Sequence, residues 1–162
     1  MEEPSANQQQ FASAFEGAFA GLQVELEKAW GSQLTWPLRV AAAIQAGLGF
    51  AAADPGAVQT LTNGALAAGP AGIARHERLI AYLRGGLALG RRQRAENERL
   101  PGFTEQAMAS GVVMLVAQRV DRGRAAELPA LAPEAIQFVL TPYLGGEEAR
   151  RVGARFAPSG LK

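Results

Sequence analysis

The sequence has no cysteine, which excludes disulfides, thiolate metal sites, iron–sulfur clusters and cysteine nucleophiles together. It has a single histidine, His76, so a multi-histidine metal site is excluded and a Ser-His-Asp triad could rest on that residue alone. Aromatic residues are sparse, with two Trp, two Tyr and seven Phe in 162 residues. No long apolar run is present either. The uncharged stretch from Asp54 to Arg75 is broken by Pro55, Gly56, Asn63, Gly64, Gly69 and Pro70, so no membrane span and no membrane partner are expected. The opening Met1-Glu2-Glu3-Pro4 is acidic and has no apolar core, unlike an export signal, which with the missing cysteines points to a cytoplasmic protein. Sixteen Lys and Arg against fifteen Asp and Glu leave a net charge of +1, too little to draw the chain to nucleic acid or anionic membrane.

What is abundant is alanine, with 33 residues beside 19 glycines. Alanine is the strongest helix former, and residues that favour strands are thin, so the expectation is an all-α domain. The length suits one domain with a core of its own. Residues 1–10 are polar and read as a loose tail or frayed helix start, residues 11–157 as the domain, and 158–162 as a C-terminal tail.

Within the domain the clearest period is Phe11, Phe15, Phe19, Leu22, Leu26 and Trp30, spaced three and four apart as one stripe of a helix. Thr35-Trp36-Pro37 opens a second helix with Val40, Ile44, Gly47, Leu48 and Ala51 inward. Asp54-Pro55 predicts a sharp break and an immediate restart, with Asp54 as the cap. That short helix ends by Gly69-Pro70, where a longer one begins and carries Ile73, His76, Ile80, Leu83 and Leu87 on one face. Thr104 is expected to cap the next helix, which has Met108, Val112 and Leu115 on one face and Val113, Val116 and Val120 on another. A further helix from Pro133 is apolar on most sides, through Ile136, Phe138, Val139, Leu140 and Tyr143, with Pro142 bending its last turn. A last short helix follows Gly145-Gly146, acidic at its start and basic toward its end. Two late helices with so much apolar surface exceed what a small domain can cover, and a second subunit would hide the surplus.

Several segments then point one way. Trp36-Pro37-Leu38-Arg39-Val40, Phe50 through Pro55, Ala65 through Pro70 and Gly111-Val112 are joined by Glu127-Leu128-Pro129-Ala130-Leu131-Ala132-Pro133-Glu134 running into Phe138 through Gly145. In order and spacing these resemble the ligand-binding half of tetracycline-repressor (TetR) family transcriptional regulators, over about Phe11 to Phe156. The family's helix-turn-helix unit has no counterpart before Phe11, and no basic recognition helix is present. DNA binding is therefore expected only through a helix-turn-helix outside this chain.

The resemblance implies a bundle of six to seven helices, with 11–30, 36–53, 55–67 and 70–90 around a cavity for a small apolar effector. Phe15, Phe19, Leu22, Ile44 and Leu48 would line it, with His76, Ile80, Leu83, Met108 and Val112. It implies a homodimer in which 104–122 and 133–144 pair with their copies as four helices. Val113, Val116, Val120 and Ile136 would lie in that interface, with Phe138, Val139, Leu140 and Tyr143. For His76 three readings stay open, a histidine satisfied by a neighbouring helix, a hydrogen-bonding contact to ligand, or a haem ligand, the last with nothing else in the sequence to mark a haem pocket. A stand-alone dimerisation module without ligand, forming mixed dimers with a full-length regulator, is the alternative.

No enzyme, cofactor or metal is expected. The acidic pairs Glu2-Glu3, Glu96-Glu98 and Glu147-Glu148 fall in terminal or flexible segments with no apolar wall to raise a carboxylate pKa. Phosphate-loop, dinucleotide and G-x-S-x-G signatures are missing. Arg91, Arg92 and Arg94, like Arg119, Arg122 and Arg124, read as solvated helix ends rather than a nucleic-acid patch.

Overall fold

The computed structural model describes residues 4–94 and 99–159. Glu2, Glu3, Glu96, Glu98 and the end of the C-terminal tail, residues 160–162, lie outside them. The described residues contain helices and turns and no strand, the all-α class expected.

Helix α1 (Ala6–Gly31) starts five residues earlier than the Phe stripe suggests. Ser5 and Gln8 explain this as a capping box. The Ser5 hydroxyl accepts the Gln8 N–H at 3.3 Å and the Gln8 side chain accepts the Ser5 N–H at 2.7 Å, so two donors orphaned at a helix start are satisfied. At the other end Ser32 donates its hydroxyl to the Ala29 carbonyl at 2.6 Å. Helix α2 (Trp36–Ala53) stops at Asp54, whose carboxylate accepts the Ala57 N–H at 3.0 Å and so caps α3 (Pro55–Gln59). A π-helical turn (Thr60–Gly64) and a short α4 (Ala65–Ala67) follow without a break in the chain's helical path. Gly69, at φ +76°, makes the left-handed turn that Pro70 converts into α5 (Pro70–Ala88).

A 3-10 turn (Leu89–Gln93) leaves α5, and α6 (Thr104–Asp121) follows. Thr104 is its first helical residue rather than its cap, because its hydroxyl donates back to the Pro101 carbonyl at 2.8 Å instead of accepting from the first turn. A second 3-10 turn (Ala125–Leu131) leads to α7 (Ala132–Leu144) and α8 (Gly146–Ala154). Helix α7 continues through Pro142 to Leu144. No helix among the described residues is long and apolar enough to cross a membrane.

Two cores hold these elements. The larger joins α2, α5, α6, α7 and α8 around Val40, Leu48, Ile80, Leu128, Ile136 and Leu140. The smaller sits between α1 and the α4–α5 corner, around Phe15, Phe19, Leu61, Ala65 and Leu79. Phe15 and Phe19 lie 6.0 Å apart, and Tyr82 meets Phe19 edge-on at 5.6 Å. Arg78 closes this corner, its guanidinium 5.1 Å from the Phe19 ring and its tip 2.6 Å from Glu16. Trp36 ties three elements together. Its indole N–H donates to the Gly86 carbonyl at 2.9 Å, its ring packs edge-on against Tyr143 at 5.0 Å, and Gly90 leaves room for it.

Candidate functional site

Between the helices lies an apolar cavity of about 170 Å³. Each wall comes from residues at helical spacing, because an element presents the same face once per turn. Helix α1 gives Leu22, Leu26 and Trp30, the lower half of its stripe. Helix α2 gives Val40, Ile44 and Leu48 with Gly47 between them, and α5 gives Leu79, Leu83 and Leu87. Helix α6 contributes Met108, Ala109, Val112, Val113 and Val116, and the π-turn contributes Leu61 and Thr62. No wall residue is ionisable, and only Thr62 and Trp30 carry a side-chain oxygen or nitrogen. The Thr62 hydroxyl donates to the Val58 carbonyl one turn back at 2.7 Å.

Of the residues the sequence proposes for a ligand, Leu22, Ile44, Leu48, Leu83, Met108 and Val112 come together in this wall. Phe15, Phe19, Ile80 and His76 do not line it. Phe15 and Phe19 are buried in the smaller core, and Ile80 in the larger. Sequence reasoning missed Leu26 and Trp30 as wall residues, although their place on the α1 stripe was the signal for them. Of the interface candidates, Val113, Val116 and Val139 turn to the cavity. Val120, Ile136, Val139, Leu140 and Tyr143 are enclosed by the chain's own helices, chiefly because α8 and α2 cover α7, and they have no surface left for a partner. Phe138 alone of the eight is substantially exposed, at 49%; Met114 on α6, at 61%, and Phe103 just before α6, at 70%, are exposed as well.

His76 is bound to the wall from behind. Its Nδ1 lies 3.0 Å from the Leu61 carbonyl oxygen, and since a carbonyl only accepts, Nδ1 carries the proton. The same π-turn is tied at Asn63, whose amide donates to Asp121 at the end of α6. A π-turn holds one extra residue per turn and leaves irregular backbone partners, which is why such turns recur at functional sites. Here α5 and α6 both hold it while Leu61 and Thr62 face the cavity.

Arg91 overturns the reading of this segment as a solvated helix end. Its guanidinium grips Glu105 side-on at 2.7 and 2.8 Å and donates to the carbonyls of Leu100 (3.1 Å) and Pro101 (2.8 Å). Arg94 likewise donates to the Pro142 carbonyl at 2.5 Å. Glu105 is only 5% exposed. Burial pushes its carboxyl up, but the hydrogen bond from Arg91, a backbone hydrogen bond and the nearby positive charges outweigh it, and the group stays below its ordinary value. Beside the pair, burial first and then the Glu105 charge push the Tyr143 hydroxyl up to about 12, with Arg91 opposing. Arg119 and Arg124 both pair with Glu127, at 3.4 and 2.7 Å, on the surface.

A lowered carboxyl value makes a signed prediction. The contribution of Glu105 is complete above the ordinary carboxylate range and is lost as pH falls through its folded-state value. Glu105→Gln should therefore be less stable than the native chain at neutral pH, and the gap should close in acid, measured by urea unfolding at neutral pH and at about pH 3. A gap of constant size would show that the charge of Glu105 does not hold this junction.

Among the described residues no group of three His, Asp or Glu could hold a metal ion. The chain matches no family model, no curated protein and no solved structure.

Proposed function

We propose that this chain is the effector-sensing and dimerisation domain of a TetR-type cytoplasmic transcriptional regulator, with the interior cavity as the effector site. The observation that carries this reading is the cavity itself, walled by six helices and the π-turn, without an ionisable group in its wall. A close-packed interior contains few voids larger than a water molecule, so an uncharged hollow of about 170 Å³ has a use. The resemblance of the sequence to the ligand-binding half of that family supports the same assignment.

A ligand in the cavity touches α5 and the π-turn, the segments 55–67 and 70–90, and favours one arrangement of them. By linkage, the partner that favours the other arrangement then binds less well, and in a regulator that partner is DNA, held by a helix-turn-helix outside this chain. A second copy would cover apolar side chains left exposed on α6 and α7, Met114 and Phe138.

The test is a thermal-shift screen of small apolar compounds joined to light scattering of the purified chain. A ligand at a hundred times its Kd stabilises the native state by about 2.7 kcal/mol. For a chain of this size that raises Tm by roughly 5–10 °C. Dimers and at least one such compound are expected. A chain that stays monomeric at micromolar concentration and responds to no compound in a diverse panel would sink the assignment.

A further inference from the structure

We propose that the cavity selects neutral molecules of one-ring size and that Thr62 Oγ1 accepts a hydrogen bond from a single ligand hydroxyl, so that phenol-like compounds are the favoured class. This rests on the reading of the cavity as an effector site and narrows it on three independent grounds.

Size is the first. The cavity measures about 170 Å³. An apolar cavity of roughly 150 Å³ lined by Leu, Ile and Phe stays dry and takes benzene. The cavity is partly open, so a second fused ring either protrudes through its mouth and loses enclosure or pushes apart walls made of packed helices, which yield little. Charge is the second ground. With no ionisable side chain in the wall, a carboxylate or ammonium entering the cavity gives up its hydration and gains no counter-charge. Benzoate and benzylamine are excluded although their rings fit.

The third ground is the direction of the one hydroxyl. A threonine hydroxyl has one proton and two lone pairs. Thr62 is buried, and its proton is committed to the Val58 carbonyl at 2.7 Å. What it has left is acceptor capacity, so it can pair with a ligand that donates. A phenol or small alcohol donates to it; a ketone or an ether of similar size does not, and has only the Trp30 indole N–H to pair with.

Phenol, toluene, naphthalene and benzoate, each titrated into the full chain by calorimetry, test this directly. Phenol and toluene should bind, and naphthalene and benzoate should give no heat. Thr62→Val should weaken phenol by about fivefold, the ordinary net value of one hydrogen bond, and leave toluene unchanged. Thr62→Ser, which keeps the hydroxyl, should keep the preference for phenol and guards against a merely unfolded variant. If Thr62→Val weakens phenol and toluene alike, or neither, the role of Thr62 is overturned. Binding of naphthalene or benzoate as tight as that of phenol would overturn the size or charge limit while leaving the effector cavity standing. If none of the four binds and larger apolar compounds do, the one-ring class fails alone; if nothing apolar binds at all, the effector reading fails with it.

Discussion

Leu48→Ala is expected to lower stability by about 2–5 kcal/mol and to open the cavity to ligands that the native chain refuses. Leu48 is 1% exposed and stands in the cavity wall on α2, so its truncation joins new empty volume to a hollow of about 170 Å³. In an ordinary core the surroundings partly collapse into such a gap. Here the neighbouring space is already empty and Ala41 and Ala51, on the same helix, carry only methyl groups, which cannot swing in to fill it. The side of Leu48 that faces the cavity makes fewer contacts than a fully packed leucine, which places the cost in the middle of that range, near ~3 kcal/mol. The informative readout is the pairing of two measurements. Urea unfolding should show the loss, and naphthalene should restore part of the lost Tm in Leu48→Ala while leaving the native Tm unmoved. A variant that is destabilised but takes up no larger ligand would mean that the wall has closed over the gap.

Much of this architecture is legible along the chain, and the parts that are not share a physical cause. The break at Asp54-Pro55 and the turn at Gly69-Pro70 were readable because a cap, a proline ring and a positive φ are local properties. Six wall residues were readable because a helical period identifies which side chains share a face. A period does not say what the face meets. Helix α1 has 26 residues, and at 1.5 Å per residue it spans ~39 Å, long enough to pass two different environments. Its upper stripe, Phe15 and Phe19, therefore packs into the α4–α5 corner, while Leu22, Leu26 and Trp30 reach the cavity. The same limit applies to α7. Apolar on most sides, it suggests surplus surface for a partner, yet α2 and α8 enclose Ile136, Leu140 and Tyr143 within the chain. Arg91 and Glu105 lie fourteen residues apart across a charged loop, at no helical spacing, so nothing local marks them as a pair. The π-turn at Thr60–Gly64 is equally silent in sequence, since its anchors, His76 and Asp121, arrive from other helices.

Gly72→Ala should destabilise the chain by about 1–3 kcal/mol, although alanine is the better helix former. Inside an exposed helix the exchange of glycine for alanine gains up to ~1 kcal/mol. Gly17 on α1 offers that case, because a Cβ there meets nothing within 4 Å, and Gly17→Ala should raise stability. At Gly72 the added Cβ would lie 2.1 Å from the Ala65 carbonyl oxygen and 2.8 Å from the Ala68 Cβ. Neither neighbour can rotate away, since one is backbone and the other is attached directly to it, so the start of α5 must move off α4. His76 stands one turn further along α5, and its bond to the Leu61 carbonyl depends on that approach. The variant should thus lose stability and the histidine bond together. With one histidine in the chain, its imidazole nitrogen signals need no assignment, and their shift toward those of a free ring in Gly72→Ala, beside unchanged signals in Gly17→Ala, reports the detachment. If Gly72→Ala melts no lower than the native chain, the close α4–α5 contact does not position the π-turn, and the cavity wall that Leu61 and Thr62 form must be held by Asn63 and Asp121 alone.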